Sequence, residues 1–163
     1  MKSSRLILTS VIGVTSLVFA MAAAQAATPA SISIMPGTWN CTTHGSTGTS
    51  TGTVTFEPVT GDLVQYHWAD LTGKNAGHKG AGEWYFDASK GEYVSLGAGT
   101  GFWGVSRGMA SASATTITLT DTYPNDPSNG ATTFHFAPST ISFASDWKKD
   151  GKPMHVQQTC TKA

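Results

Sequence analysis

After its first 26 residues, the chain alternates apolar and polar side chains over short runs that are separated by turn-forming residues. A period of two is typical of β-strands with one buried face, and no apolar stripe with the helical period extends over a useful length. Gly, Pro, Asn and Asp separate the runs, as expected for turns. The pattern predicts ten strands, at residues 37–44, 51–58, 63–71, 80–87, 92–97, 101–109, 115–123, 131–136, 140–148 and 153–160.

Short connections determine how these strands pair. None of them is long enough for the crossover helix that parallel strands require, so consecutive strands should pair antiparallel as a meander. An open meander leaves two edges exposed, and pairing the first strand with the last removes both. We therefore predict an all-β fold, a single antiparallel up-and-down β-barrel of about ten strands. A two-sheet sandwich of the same strands is the alternative.

The two cysteines, Cys41 and Cys160, lie in the first and last predicted strands. An even pair in an exported protein indicates a disulfide, which requires Cα atoms within about 7 Å. Paired strands satisfy that distance, whereas an open sheet of this width does not. Cys41 shares a strand face with Trp39, and Cys160 shares one with Val156, so both point to the apolar side. We predict a disulfide that closes the barrel; two free buried thiols are the alternative.

Residues 1–26 have the order of a secretory signal peptide, with Lys2 and Arg5 first, then an apolar run, then Ala-Gln-Ala at 24–26. A membrane anchor is the alternative, but the apolar run is short and no stop-transfer charges follow it. No cysteine stands at the cleavage point, so no lipoprotein anchor is expected. We predict a signal peptide at 1–26 and a β-barrel domain at 27–163, periplasmic or secreted, with no membrane span after signal removal.

Composition narrows the possible partners. Without Lys2 and Arg5 the chain carries 8 basic and 10 acidic residues, and no basic patch is present to hold a phosphate backbone, so we expect no nucleic-acid partner. No G-x-S-x-G, H-E-x-x-H or phosphate loop occurs, so an enzyme is the less favoured class. No zinc-ligand spacing occurs either, and we predict no metal and no cofactor. The sequence does not determine the oligomeric state.

Three short segments carry a resemblance to known proteins: "GTWNC" at 37–41, "GEWYFD" at 82–87 and "QQTC" at 157–160. The first resembles the opening of calycin-type barrels, the lipocalins and their relatives. The set is more similar to a family of uncharacterised exported bacterial proteins with a Gly-x-Trp-x-Cys opening. The resemblance implies a calycin-like barrel without a settled activity. The chain departs from lipocalins in one respect: they cap this tryptophan with a late basic residue, and here no clear counterpart occurs, with Lys162 only a candidate.

Two groups of side chains bear on the interior of this barrel. Trp39 is expected to plug its closed end, with ligand contact as the alternative. His67, His135 and His155 alternate with apolar neighbours and are expected on the outer wall. Haem-binding barrels similar to nitrobindin also place a histidine late in the chain, but His155 alone does not predict a haem site.

Aromatic residues are the strongest functional signal. Small-molecule sites combine aromatic walls with a few polar groups, and a ten-strand barrel is wider than its own side chains easily fill. We predict an exported barrel that binds a small hydrophobic or partly apolar ligand. The alternative is a solid barrel that acts as a protein-interaction or inhibitor module in the cell envelope, through loops such as 97–101 and 123–130. The candidate ligand-binding residues are Tyr66, Trp68, Trp84, Phe102, Trp103 and Trp147.

Overall fold

The computed structural model describes residues 28–46, 48–100, 102–123, 130–149 and 151–163, without the side chains of Phe102, Tyr123 and Lys149. The predicted signal peptide and most of the 123–130 loop therefore lie outside the described residues. The elements are α1 Ala30–Ile34, β1 Gly37–Gly45, β2 Gly48–Thr60, β3 Leu63–Asp70, β4 Lys79–Asp87, β5 Glu92–Gly99, β6 Phe102–Met109, β7 Thr116–Tyr123, β8 Ala131–Ala137, β9 Thr140–Lys149 and β10 Lys152–Lys162.

In the described part of the chain, the ten strands form one closed antiparallel barrel in the order β1-β10-β9-β8-β7-β6-β5-β4-β3-β2. Each strand pairs with its sequence neighbours, and β1 pairs with β10, from Trp39 opposite Lys162 to Gly45 opposite Val156. The predicted up-and-down barrel is confirmed, and the two-sheet sandwich is not formed. The observed and predicted strands differ only at their ends; β2, for example, begins three residues earlier than expected, and β3 ends one residue earlier.

The predicted disulfide is confirmed at the seam between the first and last strands. Cys41 and Cys160 are direct cross-strand partners with Cα atoms 4.0 Å apart, and 119 residues separate them along the chain. Both side chains are buried among the core residues. The covalent link therefore joins the two strands that would otherwise be the edges of the sheet.

One end of the barrel is plugged. Helix α1, which the sequence pattern does not predict, lies there with Ile32 and Met35 buried in the core. The backbone N–H of Ala30 donates to the carbonyl of Ala112 at 2.8 Å, which ties the helix to the β6–β7 connection. Five residues are too few for a helical apolar period to be recognised, which is why the pattern misses α1.

Trp39 lies fully buried at this closed end, as expected. Its indole Nε1–H donates to the carbonyl of Met35 at 2.8 Å, so the buried donor is satisfied. The Lys162 Nζ lies 5.3 Å from the centre of the Trp39 ring, a cation–π distance. The candidate Lys162 therefore lies over Trp39 at the closed end of the barrel.

Reduction of the disulfide should destabilise the barrel, because the open chain regains the entropy that the 119-residue loop closure removes. We expect a loss of about 2 to 5 kcal/mol in the free energy of unfolding, measured by urea titration with and without reductant. The Cys41→Ala/Cys160→Ala double variant is the control, since its stability should not respond to reductant. Equal midpoints for oxidised and reduced wild-type protein would contradict a closing role for this bond.

Candidate ligand-binding site

Solvent reaches one half of the barrel interior. At the closed half, inward-facing side chains such as Val64, Tyr93 and Ile117 are 0 % exposed. At the opposite half, side chains on the same inward strand positions are only partly buried. Because these positions face away from the outer surface, water reaches them through the open end. The inward aromatic and aliphatic residues of this open half include Val54, Tyr66, Trp68, Phe143, Trp147, Met154 and Val156.

An aromatic cluster separates the two halves. Trp84 on β4 reaches across the interior to β8, where its ring meets Phe134 edge-on at 4.8 Å and Phe136 at 5.9 Å. Phe134 also packs against Phe143 on β9, with ring centres 5.4 Å apart. Trp84 is 4 % exposed, so it belongs to the packed core. This cluster forms the floor of the open half.

Two aromatic rings from β3 lie against glycines of β4 and β5. A Cβ added to Gly82 would stand 2.6 Å from the phenol carbon and hydroxyl of Tyr66, and one added to Gly97 would overlap the same hydroxyl. A Cβ on Gly80 would stand 2.7 Å from Trp68 Nε1. Only glycine lets rings approach a strand this closely. We call Tyr66 and Trp68, which lie against these glycines, the aromatic platform.

A polar stripe continues from the platform around the inner wall. The Tyr66 hydroxyl donates to the Leu96 carbonyl at 3.3 Å and lies beside Ser95. Ser95 is the cross-strand partner of Ser106 on β6, whose hydroxyl donates to a carboxylate oxygen of Asp121 on β7. Burial raises the pKa of the Tyr66 phenol, and the Ser95 hydrogen bond partly offsets it. The phenol therefore stays neutral well above physiological pH.

The opposite wall of the open half also carries polar groups, and these are paired with one another. Thr132 Oγ1 donates to Ser145 Oγ at 2.9 Å between β8 and β9. Gln158 Nε2 donates to Thr43 Oγ1 at 2.8 Å between β10 and β1. All four side chains share the inward strand positions of core residues. The open half is therefore an aromatic and hydroxyl-lined space rather than a purely apolar one.

The structure brings together four of the six candidate residues. Tyr66 and Trp68 form the platform, Trp84 belongs to the floor, and Trp147 faces inward opposite Met154. The side chain of Phe102 lies outside the described part of the structure. Ligand binding by these residues stays a prediction.

Trp103 occupies a different place from the one expected. It pairs with Ala98 on the outer face of β6 and is 56 % exposed, so it does not line the interior. Adjacent strand residues point to opposite faces, and Phe102 and Trp103 could not both face inward. The even-numbered residues of β6 occupy its inward positions, as Gly104, Ser106 and Gly108 show.

The histidines on strands face outward, as expected. His67, His135 and His155 are all exposed, and the Nδ1 of His155 lies 2.6 Å from an Asp146 carboxylate oxygen on the outer wall. Within the described ranges, no group of three or more His, Cys, Asp or Glu side chains is arranged to hold a metal ion. None of the helices in these ranges is long and apolar enough to cross a membrane.

A depression of about 440 Å³ lies over β2, β3 and β4; most of its lining comes from outward strand positions, and Trp68 and Gly80 also contribute to it. The side chains of Thr53, His67, Ala69 and Ala81 turn toward it from outward strand positions. It is shallow and open, unlike the enclosed clefts that usually hold small molecules. The interior is therefore the stronger candidate site.

Comparisons with known proteins support the fold. No family model matches the sequence, and no curated protein matches it significantly. The solved structure of Rv2717c from M. tuberculosis is similar at a TM-score of 0.62 and 14% identity, over 81% of this chain and 94% of that one. The S-type phycobiliprotein lyase CPES from Guillardia theta is similar at a TM-score of 0.55 and 13% identity, over 81% and 90%. At these identities, the likeness is one of fold.

Replacing Gly97 with alanine should displace Tyr66, because the added Cβ would overlap the phenol hydroxyl. Overpacking of this kind costs about 1 to 3 kcal/mol, which urea unfolding measures. In a Tyr66→Phe background the cost should fall, since the overlapping atom is gone. Gly61→Ala is the control, because a Cβ there meets only the Thr28 hydroxyl at 3.1 Å. The same cost in both backgrounds would contradict the placement of the ring.

Proposed function

We propose that this chain is an exported barrel that binds a small, partly apolar ligand in the open half of its interior. The observation that carries the proposal is the partial exposure of inward-facing aromatic residues above a packed floor. Water reaches part of the apolar surface of these inward Trp and Tyr side chains, and burying apolar surface drives ligand binding. Aromatic walls with a few polar groups are the usual lining of small-molecule sites.

The expected affinity follows from the area of apolar surface that the ligand buries. A ligand that buries roughly 300 Å² of apolar surface gains about 7 kcal/mol before the cost of association is subtracted. Dissociation constants in the micromolar range or weaker follow for a ligand without further contacts. The hydroxyl groups of the inner wall are paired with one another but keep acceptor lone pairs, so they would favour ligands that donate hydrogen bonds.

Export to the periplasm or the outside is supported by two independent features. The order of charges, apolar residues and small residues at 1–26 is that of a signal peptide. A buried disulfide persists in oxidising compartments and is rare in the cytosol. The resemblance to exported bacterial proteins with the Gly-x-Trp-x-Cys opening is part of the same proposal.

The alternative function, a solid barrel that contacts a protein partner, requires a packed interior. Partly exposed inward residues such as Tyr66, Trp68 and Trp147 weigh against solid packing in the open half. Small-molecule binding is therefore the function that the geometry supports better.

A neutral apolar fluorophore, N-phenyl-1-naphthylamine, should bind and increase its emission. The Trp68→Ala variant should bind about tenfold more weakly, because losing roughly 60 Å² of apolar contact costs about 1.5 kcal/mol. Trp103→Ala is the matched control, since Trp103 lies on the outer wall and its removal should leave the affinity unchanged. Thermal melts establish that both variants are folded. No binding by wild-type protein, or an equal loss in both variants, would contradict the proposal.

A further inference from the structure

The charges that face the interior distinguish one class of ligand from the others. Among the side chains that the structure describes, strand alternation turns four charged ones inward: Asp70, Asp121, Lys152 and Lys162. Lys162 lies at the closed end against Trp39 and is separated from the open half by the core. Lys152 begins β10 and Asp70 ends β3, so both lie at the rim of the open end. Asp121, which is hydrogen-bonded to Ser106 and lies inside β7, is therefore the described charge that stands within the wall of the open half rather than at its rim.

Asp121 is placed to accept hydrogen bonds inside the open end. Its carboxylate accepts from the Ser106 hydroxyl, which orients it along the polar stripe. The side chain is exposed, so an incoming group reaches it without displacing protein atoms. A carboxylate is an acceptor only, and its strongest partners are positively charged N–H donors.

Asp70 adds a second carboxylate on the far side of the platform. Its Oδ1 lies 3.3 Å from the point that a Cβ on Gly52 would occupy, so the glycine leaves room for it on the inner wall. Burial raises the pKa of the Asp70 carboxyl, and the charge of His78 partly offsets this. A carboxylate that has lost part of its water is stabilised by a cation beside it.

The aromatic platform favours the same charge. Glycines of β4 and β5 lie against the Tyr66 phenol and the Trp68 indole, and both side chains stand at inward strand positions. The face of an aromatic ring carries negative electrostatic potential and attracts cations within about 6 Å of the ring centre. Flat aromatic groups also stack on such faces.

The distance between Ser95 and Asp121 indicates the size of the ligand. Ser95, beside the Tyr66 hydroxyl, and Asp121 lie on β5 and β7, with β6 between them. Two strand spacings place them about 10 Å apart. A two-ring aromatic group with a short ammonium arm covers that distance when its rings lie on the platform.

We propose that the ligand of the open half is a flat aromatic molecule carrying a protonated nitrogen, with its rings on Tyr66 and Trp68 and its N–H directed to Asp121. This inference rests on the proposed function, since it names the ligand class of the same site. Aromatic anions are disfavoured there, because they would place a negative charge beside Asp121 and Asp70 and over the ring faces.

A matched naphthalene series tests the proposal by isothermal titration calorimetry at low salt: 2-naphthylmethylammonium, 2-naphthylmethanol and 2-naphthoate. We expect the cation to bind about tenfold more tightly than the neutral alcohol and the anion most weakly. Added salt should reduce the advantage of the cation. The Asp121→Asn variant should bind the cation no better than the alcohol, while its affinity for the alcohol is unchanged.

Two controls separate the possible failures. Asp146→Asn removes a carboxylate from the outer wall and should leave the preference for the cation intact. Ser106→Ala keeps the Asp121 charge but removes its orienting hydroxyl and should reduce the preference partially. If the three probes bind equally, or if Asp121→Asn keeps the preference, the ligand class is wrong while binding stands. If wild-type protein binds none of the probes, the binding function itself is overturned together with the ligand class.

Discussion

The closed barrel depends on the pairing of β1 with β10. These two strands come from opposite ends of the described chain. A meander of ten twisted strands has two open edges, and each would expose a row of unpaired backbone groups. The β1–β10 ladder satisfies both edges at once, and the Cys41–Cys160 bond holds it together at a buried position. Because the sheet is closed, alternate residues of every strand must share one enclosed space, and the contents of that space decide what the protein can do.

The interior is filled unevenly because side-chain size changes around the wall. On β4 and β5, the inward positions of the open half are glycines, and Tyr66 and Trp68 lie in the space that larger side chains would fill. At the closed half, Trp39, α1 and large aliphatic residues fill the space, and Lys162 covers the indole from above. One half of the barrel interior is packed and stabilises the fold. The other half is partly exposed to solvent, and we propose that it binds the ligand. On the proposed function, stability and ligand binding thus depend on different levels of one barrel.

The strand pattern could be predicted from the sequence because period-two alternation and turn residues are local signals. The closure could be predicted because the two cysteines supply a long-range distance that no local pattern contains. The orientation of Trp103 could have been predicted as well: residues 102 and 103 are adjacent on one strand, so counting both as interior contradicts alternation. Helix α1 could not be predicted, because it is too short to show a helical period. The polar stripe could not be predicted either, because only strand register brings Ser95, Ser106 and Asp121 together.

The central claim is that the open half of the interior, and not the outer wall, receives a small molecule. Solution NMR with N-phenyl-1-naphthylamine tests it directly through intermolecular nuclear Overhauser effects to assigned side-chain protons. The account predicts contacts from the probe to the rings of Tyr66, Trp68 and Trp147, which line the interior. Contacts confined to Trp103 and its outer-wall neighbours, or none to inward-facing protons at saturating probe, would contradict it.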